Sequence, residues 1–209
     1  RIAAIPGVTR ADPAVRGKVM ASRDGARGLG DVYGISDAAL KALPGVVDPD
    51  RAMGNIADFD QGIAIGIGLA RTLGVGVGDR IQLVSPDGAQ TAVGSTPRVE
   101  SYPVVYIFSA GRWDIDEARI YMPFAEAQAY FNRDGMADEI EVYVTDPEQV
   151  DRWTPELLAA TEGLGQVWSW RDASGSFLAA LDMEDDVMFL ILSILVLIAS
   201  MNITSGLIM

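Results

Sequence analysis

Residues 187–209 read Val-Met-Phe-Leu-Ile-Leu-Ser-Ile-Leu-Val-Leu-Ile-Ala-Ser-Met-Asn-Ile-Thr-Ser-Gly-Leu-Ile-Met, and the reading of this stretch governs that of everything before it. It contains no charged residue and no proline. As a helix rising ~1.5 Å per residue it measures roughly 34 Å, enough to cross a hydrocarbon core about 30 Å thick. The competing reading, a buried helix of a soluble protein, calls for a shorter run, so a membrane span is the expectation. Ser193, Ser200, Asn202, Thr204, Ser205 and Gly206 are polar or small and costly against lipid; a face packed on neighbouring helices would suit them. The chain is accordingly expected to be a fragment of a larger membrane protein. Arg171 is the nearest basic residue upstream, whereas Glu184, Asp185 and Asp186 stand directly before the run. A flank so poor in positive charge favours the non-cytoplasmic side for residues 1–186.

Working outward, composition removes much chemistry. The 209 residues hold 16 basic and 29 acidic side chains, a net charge of -13. Such a balance argues against nucleic-acid binding, because phosphates must be met by clustered Lys and Arg. With no cysteine there are no disulfides, thiol nucleophiles or cysteine metal sites, and with no histidine there are no imidazole metal sites or Ser-His relays. Neither a cofactor nor a metal is expected.

Residues 1–186 read as a mixed α and β body. Val15–Ala21 and Gly28–Ile35 alternate as strands around the turn Ser22-Arg-Asp-Gly25. Asp37–Leu43 suits a short helix stopped by Pro44-Gly45, and Val46–Asn55 a linker. A helix is expected at Gly68–Leu73, ended by Gly74-Val-Gly-Val-Gly-Asp79. Strands follow at Arg80–Val84, Val104–Phe108 and Arg119–Met122, with a helix opened by Pro123 over Phe124–Phe131. Glu139–Thr145 has the period of a half-exposed strand. Asp146-Pro147 and Thr154-Pro155 are helix starts, and Gln166–Trp170 reads as a last strand. A helix from Asp172 or Ser174 is expected to run unbroken into the span.

Candidate chemistry is sparse. Gly66-Ile-Gly68 and Gly74–Gly78 match neither GxGxxG nor GxxxxGK[ST], and the second leads into a strand rather than a helix, so a tight turn is the expectation. Asp114, Asp116 and Glu117 crowd three carboxylates together, but no bend-making glycine lies among them, so a solvated turn outweighs a calcium loop. The four tryptophans, Trp113, Trp153, Trp168 and Trp170, are best read as core anchors. Thr91-Ala-Val-Gly-Ser-Thr-Pro-Arg-Val-Glu-Ser-Tyr102 joins two strand candidates and is too long for a two-residue hairpin. It is either an ordinary loop or a functional projection.

A family resemblance adds to this. Ile65-Gly-Ile-Gly-Leu-Ala-Arg-Thr-Leu-Gly-Val-Gly-Val-Gly-Asp79 resembles the IGxxLAxxLGVxxGD segment of MacB-like ABC permease ectodomains. Tyr102–Phe108, Met122–Gln128, Trp170-Arg-Asp172, Met188–Leu192 and Asn202–Met209 are similar, in order and spacing, to the lipoprotein-releasing permeases of the LolC/LolE group. The resemblance covers most of residues 60–209. It implies an α+β fold, a MacB-like periplasmic domain of two lobes (porter-like and inserted sabre-like) followed by a transmembrane α-helix. Residues 1–186 would be periplasmic, with the inserted lobe at about 53–130, and residues 187–209 a span in the bacterial inner membrane. It further implies a non-catalytic permease subunit that extracts lipoproteins from the outer leaflet. Its partners would be a cytoplasmic ATPase subunit, a second permease subunit, a periplasmic lipoprotein chaperone and the lipoprotein cargo. The chaperone would be gripped by a hook-like hairpin, here Val93, Gly94, Ser95, Thr96, Pro97 and Arg98. The family's basic residue beyond the hook is not matched in place; Glu100 stands near it and Arg98 is a shifted substitute. A MacB-type exporter or another mechanotransmission ectodomain permease is the alternative, and a membrane-tethered carboxylate enzyme a more distant one.

Overall fold

The computed structural model describes residues 2–48, 51–86, 90–91 and 94–209. They form two compact units, one of Val8–Val144 and one of Arg1–Gly7 with Thr145–Met209.

The first unit is built on a long hairpin. Strands β1 (Val8–Arg23) and β2 (Ala26–Ile35) pair from Val15↔Gly34 to Arg23↔Ala26. Asp24 and Gly25 alone connect them, with φ of 49° and 90°. Two successive left-handed residues match the twist of a two-residue hairpin, which is why Asp-Gly serves here. The chain continues through α1 (Asp37–Lys41), β3 (Met53–Gly54), β4 (Ile63–Gly66), α2 (Ile67–Leu73) and β5 (Arg80–Ser85). It then forms β6 (Gln90–Thr91), β7 (Gly94–Ser95), β8 (Arg98–Phe108), α3 (Trp113–Asp116), β9 (Arg119–Pro123), α4 (Phe124–Tyr130) and β10 (Glu139–Val144).

Pairing closes most of these strands into a ring. β2 lies parallel to β9, β9 antiparallel to β4, and β4 parallel to β8. β8 pairs antiparallel with β5, which returns to β1 at Met20–Ser22. Closure removes exposed strand edges around this circuit. Outside the ring, β10 runs along Val8–Ala14 of β1, and β3 adds to β8. The interior is filled by alternate residues of the strands, Val15, Val19, Val32, Ile65, Leu83 and Ile120 among them, and by Leu69 of α2 and Tyr130 of α4. A Cβ on Gly34 would stand 2.1 Å from Ala127 Cβ, and one on Gly17 2.2 Å from Phe131 Cε1. These two glycines let α4 lie directly on the hairpin. On the opposite sheet face a second cluster gathers Tyr33, Leu40, Phe59, Tyr106, Phe108 and Tyr121.

The helix at Ile67–Leu73 ends as its glycine predicts: Gly74 is left-handed (φ 64°, ψ 40°), and Val75 N donates to Ala70 O at 2.9 Å. That is the hydrogen-bond pattern of a glycine-terminated helix. The expected linker at 46–55 is tied down in part, because Met53–Gly54 pairs with β8 and Tyr106 OH donates to Val46 O at 2.8 Å.

In the second unit, α5 spans Thr154–Ala160, α6 Trp170–Ala173 and α7 Gly175–Ile208. Gln166–Trp170 is not a strand. Ser169 caps α6 instead, its Oγ accepting from Asp172 N at 3.3 Å while Asp172 Oδ2 accepts from Ser169 N at 2.8 Å. This reciprocal capping satisfies two orphan amides, and it outweighs the alternation that reads as a strand. Trp153 is 6% exposed and donates its indole N–H to Pro6 O at 3.0 Å, so the core reading holds for it. It fails for Trp113, 79% exposed, and for Trp168, 72% exposed. Trp170 sits on the surface with its indole N–H donated to Pro147 O at 2.8 Å.

α7 is set off from α6 only at Ser174. Its 34 residues make a rod of about 51 Å at ~1.5 Å each, and none of them is buried. It is long and apolar enough to cross a membrane. The hydroxyls expected to need neighbouring helices are largely satisfied within it. Ser193 Oγ donates to Phe189 O (2.7 Å), Ser200 Oγ to Val196 O (2.8 Å) and Thr204 Oγ1 to Ser200 O (2.7 Å). Such bonds to the carbonyl one turn back let a hydroxyl face lipid at reduced cost.

Candidate functional site

The segment singled out in the sequence lies where β5 and β8 leave the ring. Their ladder runs from Arg80↔Pro103 to Ser85↔Arg98. The chain beyond folds back on itself, Gln90 pairing with Ser95 and Thr91 with Gly94. Of the expected hook residues, Val93 lies outside the described residues, Gly94 and Ser95 form β7, and Thr96 and Pro97 are exposed between β7 and β8. Arg98 opens β8. Gly94 to Arg98 thus run as one arm of the hairpin and its root.

Arg98 fastens that root. Its guanidinium donates to the carbonyls of Ala129 and Tyr130 (2.9 Å to the latter) and to Asn132 Oδ1 at 3.3 Å. Ala129 and Tyr130 close α4, where backbone carbonyls lack helical partners and the helix dipole is negative. A single arginine therefore adds donors to the carbonyls at this helix end, where Ala129 O also accepts from Asn132 N at 3.4 Å, and locks the ribbon to α4. Glu100 Oε1 completes the arrangement 3.7 Å from Arg98 Nε.

Two residues on, the Tyr102 hydroxyl lies 2.7 Å from Glu100 Oε2 and 3.0 Å from Glu126 Oε1 of α4. One hydroxyl proton serves one carboxylate at a time, so the two compete for it. Burial, then Glu100, push the Tyr102 phenol up, which keeps it a donor. Tyr130, buried and beside Glu100, is pushed up to about 12. Arg98 and Glu126 approach this root from 28 positions apart in sequence, which is why no local pattern announces the cluster.

The acidic loop has structural employment. Asp116 accepts from Ser109 Oγ (3.1 Å) and from Ala110 N (2.7 Å), and Asp114 pairs with Arg112 at 2.8 Å. The Arg112 hydrogen bond holds the Asp114 carboxyl below the usual carboxylate range. A Cβ on Gly66 would stand 2.4 Å from Asp116 O, so the Gly66-Ile-Gly68 pair makes room for α3. Among the described residues no group of three acidic side chains is placed to hold a metal.

Comparison with known proteins adds the following. Residues 1–160 match the model of the MacB-like periplasmic core domain. The lipoprotein-releasing system transmembrane protein LolC of Neisseria meningitidis serogroup B is 27% identical over 154 residues, 73% of this chain and 36% of that protein. LolC of Xylella fastidiosa (strain Temecula1) is 25% identical over 175 residues, 84% of this chain and 41% of that protein. The chain thus spans well under half the length of these curated relatives. Among solved structures, the extracellular domain of the noncanonic ABC-type transporter YknZ from Gram-positive bacteria superposes with a TM-score of 0.49 at 16% identity, covering 78% of this chain and 80% of that one.

Proposed function

The chain belongs to the MacB-like periplasmic core domain family, and from that premise we propose that it is the periplasmic domain and following membrane helix of an ABC transporter permease subunit of the lipoprotein-releasing kind. In this reading the subunit makes and breaks no covalent bonds. ATP hydrolysis belongs to a separate cytoplasmic subunit, and a second permease subunit completes the pair in the inner membrane. Residues 1–186 face the periplasm, where lipoproteins drawn from the outer leaflet pass to a soluble chaperone.

The hairpin Val93–Arg98 is the part that grips that chaperone. The supporting observation is the hairpin itself: beyond Ser85↔Arg98 the chain pairs again as β6–β7, and Arg98 pins the root to α4. Anchoring the root lowers the entropy lost there on binding, which is the advantage of a preorganised contact. Arg98 then positions the hairpin, and the contact is made by Val93, Gly94, Ser95, Thr96 and Pro97. Partner identity follows the relatives named lipoprotein-releasing LolC.

The test is capture of the periplasmic lipoprotein chaperone by the full-length subunit in detergent. Val93→Asp, or deletion of residues 92–97, lowers capture at least tenfold and leaves the unfolding midpoint in place. Equal capture by both variants and the parent would overturn the assignment.

A further inference from the structure

The sheet face turned away from the main core carries a set of charges that does not balance pair by pair. Side chains alternate along strands, so β1 sends Arg10, Asp12 and Arg16 to this face. Tyr143 and Glu141 of β10 lie opposite Arg10 and Asp12, and Tyr33 of β2 lies opposite Arg16. β9 adds Arg119 and Tyr121, across from Asp31 and Tyr33. A charge drawn from water is costly unless another meets it. Most here are met: Arg10 pairs with Asp12, and Arg16 with Glu139 at 3.2 Å and Asp31 at 3.7 Å.

Arg119 and Glu141 are the remainder. Among the described residues Arg119 has no carboxylate at ion-pair distance; its guanidinium stacks 3.7 Å from the centre of the Tyr33 ring and 5.8 Å from that of Tyr121. Among the described residues Glu141 has no basic group at ion-pair distance, and it accepts from Tyr143 OH at 3.0 Å. Both line one cleft of about 170 Å³, whose apolar wall is Ile35, Ala39 and Leu43; Arg10 lines it too, but its guanidinium is taken by Asp12 and stacks 4.0 Å from the centre of the Tyr143 ring. Opposite charges that share a cleft without meeting suit a ligand carrying the complementary pair. A guanidinium is the planar partner of a carboxylate, and a carboxylate beside tyrosine rings accepts an ammonium. With about 170 Å³ the cleft has room for a short aliphatic body.

We infer that this cleft, between α1 and the β2, β9 and β10 strands, binds a small aliphatic α-amino acid as its zwitterion, Arg119 holding the carboxylate and Glu141 the ammonium. The site lies apart from the β6–β7 hairpin and does not depend on the transport reading. Calorimetric titration of the full chain in detergent tests it, with L-leucine, isovalerate (the carboxylate without the amine) and isoamylamine (the amine without the carboxylate) as probes. L-leucine binds at least tenfold more tightly than either one-charge probe. Glu141→Gln lowers leucine affinity at least tenfold while leaving the weak isovalerate binding as it was, and Arg119→Gln abolishes both. Should Arg119→Gln shift the unfolding midpoint, Glu141→Gln and the three probes on the parent protein decide alone. No heat with leucine, equal binding of leucine and isovalerate, or parental leucine affinity in Glu141→Gln each overturns the inference.

Discussion

The strand unit Val8–Val144 and the helix α7 are both rich in Val, Ile and Leu, yet they place them oppositely. In the strand unit Val15, Ile65, Leu83, Ile107 and Ile120 are almost wholly withdrawn from solvent. In α7 no residue is buried, and Leu190, Leu195 and Ile198 lie open on its surface. Burial of apolar surface contributes about 25 cal/mol per Å² only when that surface leaves water. The strand unit achieves this by closing on itself; the helix, long and apolar enough to cross a membrane, would achieve it by entering lipid. Apolar content alone therefore says nothing of where a segment sits; the period and length of the pattern do.

The sharpest way to break this comparison is to remove residues 187–209. All membrane association should vanish while the strand unit keeps its circular-dichroism spectrum. Persistence in the membrane pellet would mean that another surface meets the bilayer. Next in size, Phe59→Ala should destabilise by about 3–5 kcal/mol in denaturant unfolding, because it empties a filled position. Leu195→Ala, on the helix, should leave that transition unchanged. A matching loss from Leu195→Ala would show that α7 packs on protein rather than lipid.

A flexible Gly-Ser insert between Ser176 and Glu184 probes the helix as a lever. Tilt below the membrane surface can move a packed body above it only through a stiff connection. On the function proposed above, the insert should cut lipoprotein release by the full-length transporter about tenfold while ATP hydrolysis continues, a factor equal to about 1.4 kcal/mol. Release at the parental rate would remove the lever idea. The smallest effect concerns the cap below α7. Ser169→Ala should cost about 1 kcal/mol of helix stability, read by thermal unfolding. The Asp172 carboxyl is held below its usual range by the Ser169 amide and hydroxyl. Its contribution is full above an unfolded value of about 3.9 and is lost as pH falls through the lower folded value. Asp172→Asn should therefore be less stable near neutrality and show a shallower loss of stability in acid.

Where the chain could be read from its letters, the signal was local. Asp24-Gly25 announces its hairpin and Gly74 its helix end, because each conformation depends on one or two residues. The span announces itself by length without charge. What escaped depends on distance along the chain. β1 starts at Val8 rather than Val15 because β10 meets its first half from more than a hundred residues away. The strand read at Gln166–Trp170 fails because Ser169 and Asp172 cap a helix more strongly than alternation favours a strand. At the hairpin, the long connection was legible in the sequence as either an ordinary loop or a projection. Its anchoring by Arg98 on the Ala129 and Tyr130 carbonyls was not, since nothing near Arg98 in sequence marks the far partner.

Ring closure gives the hairpin a mechanical character. Tension on its tip draws β5 and β8 outward together, so their own six-residue ladder carries no relative displacement. The load passes to the flanking ladders, β5 on β1 and β8 on β4, whose hydrogen bonds lie across the direction of pull and must slide all at once. Bonds loaded in shear share the load rather than opening one after another, so a pull on the hairpin is borne by the ring and not by its own root.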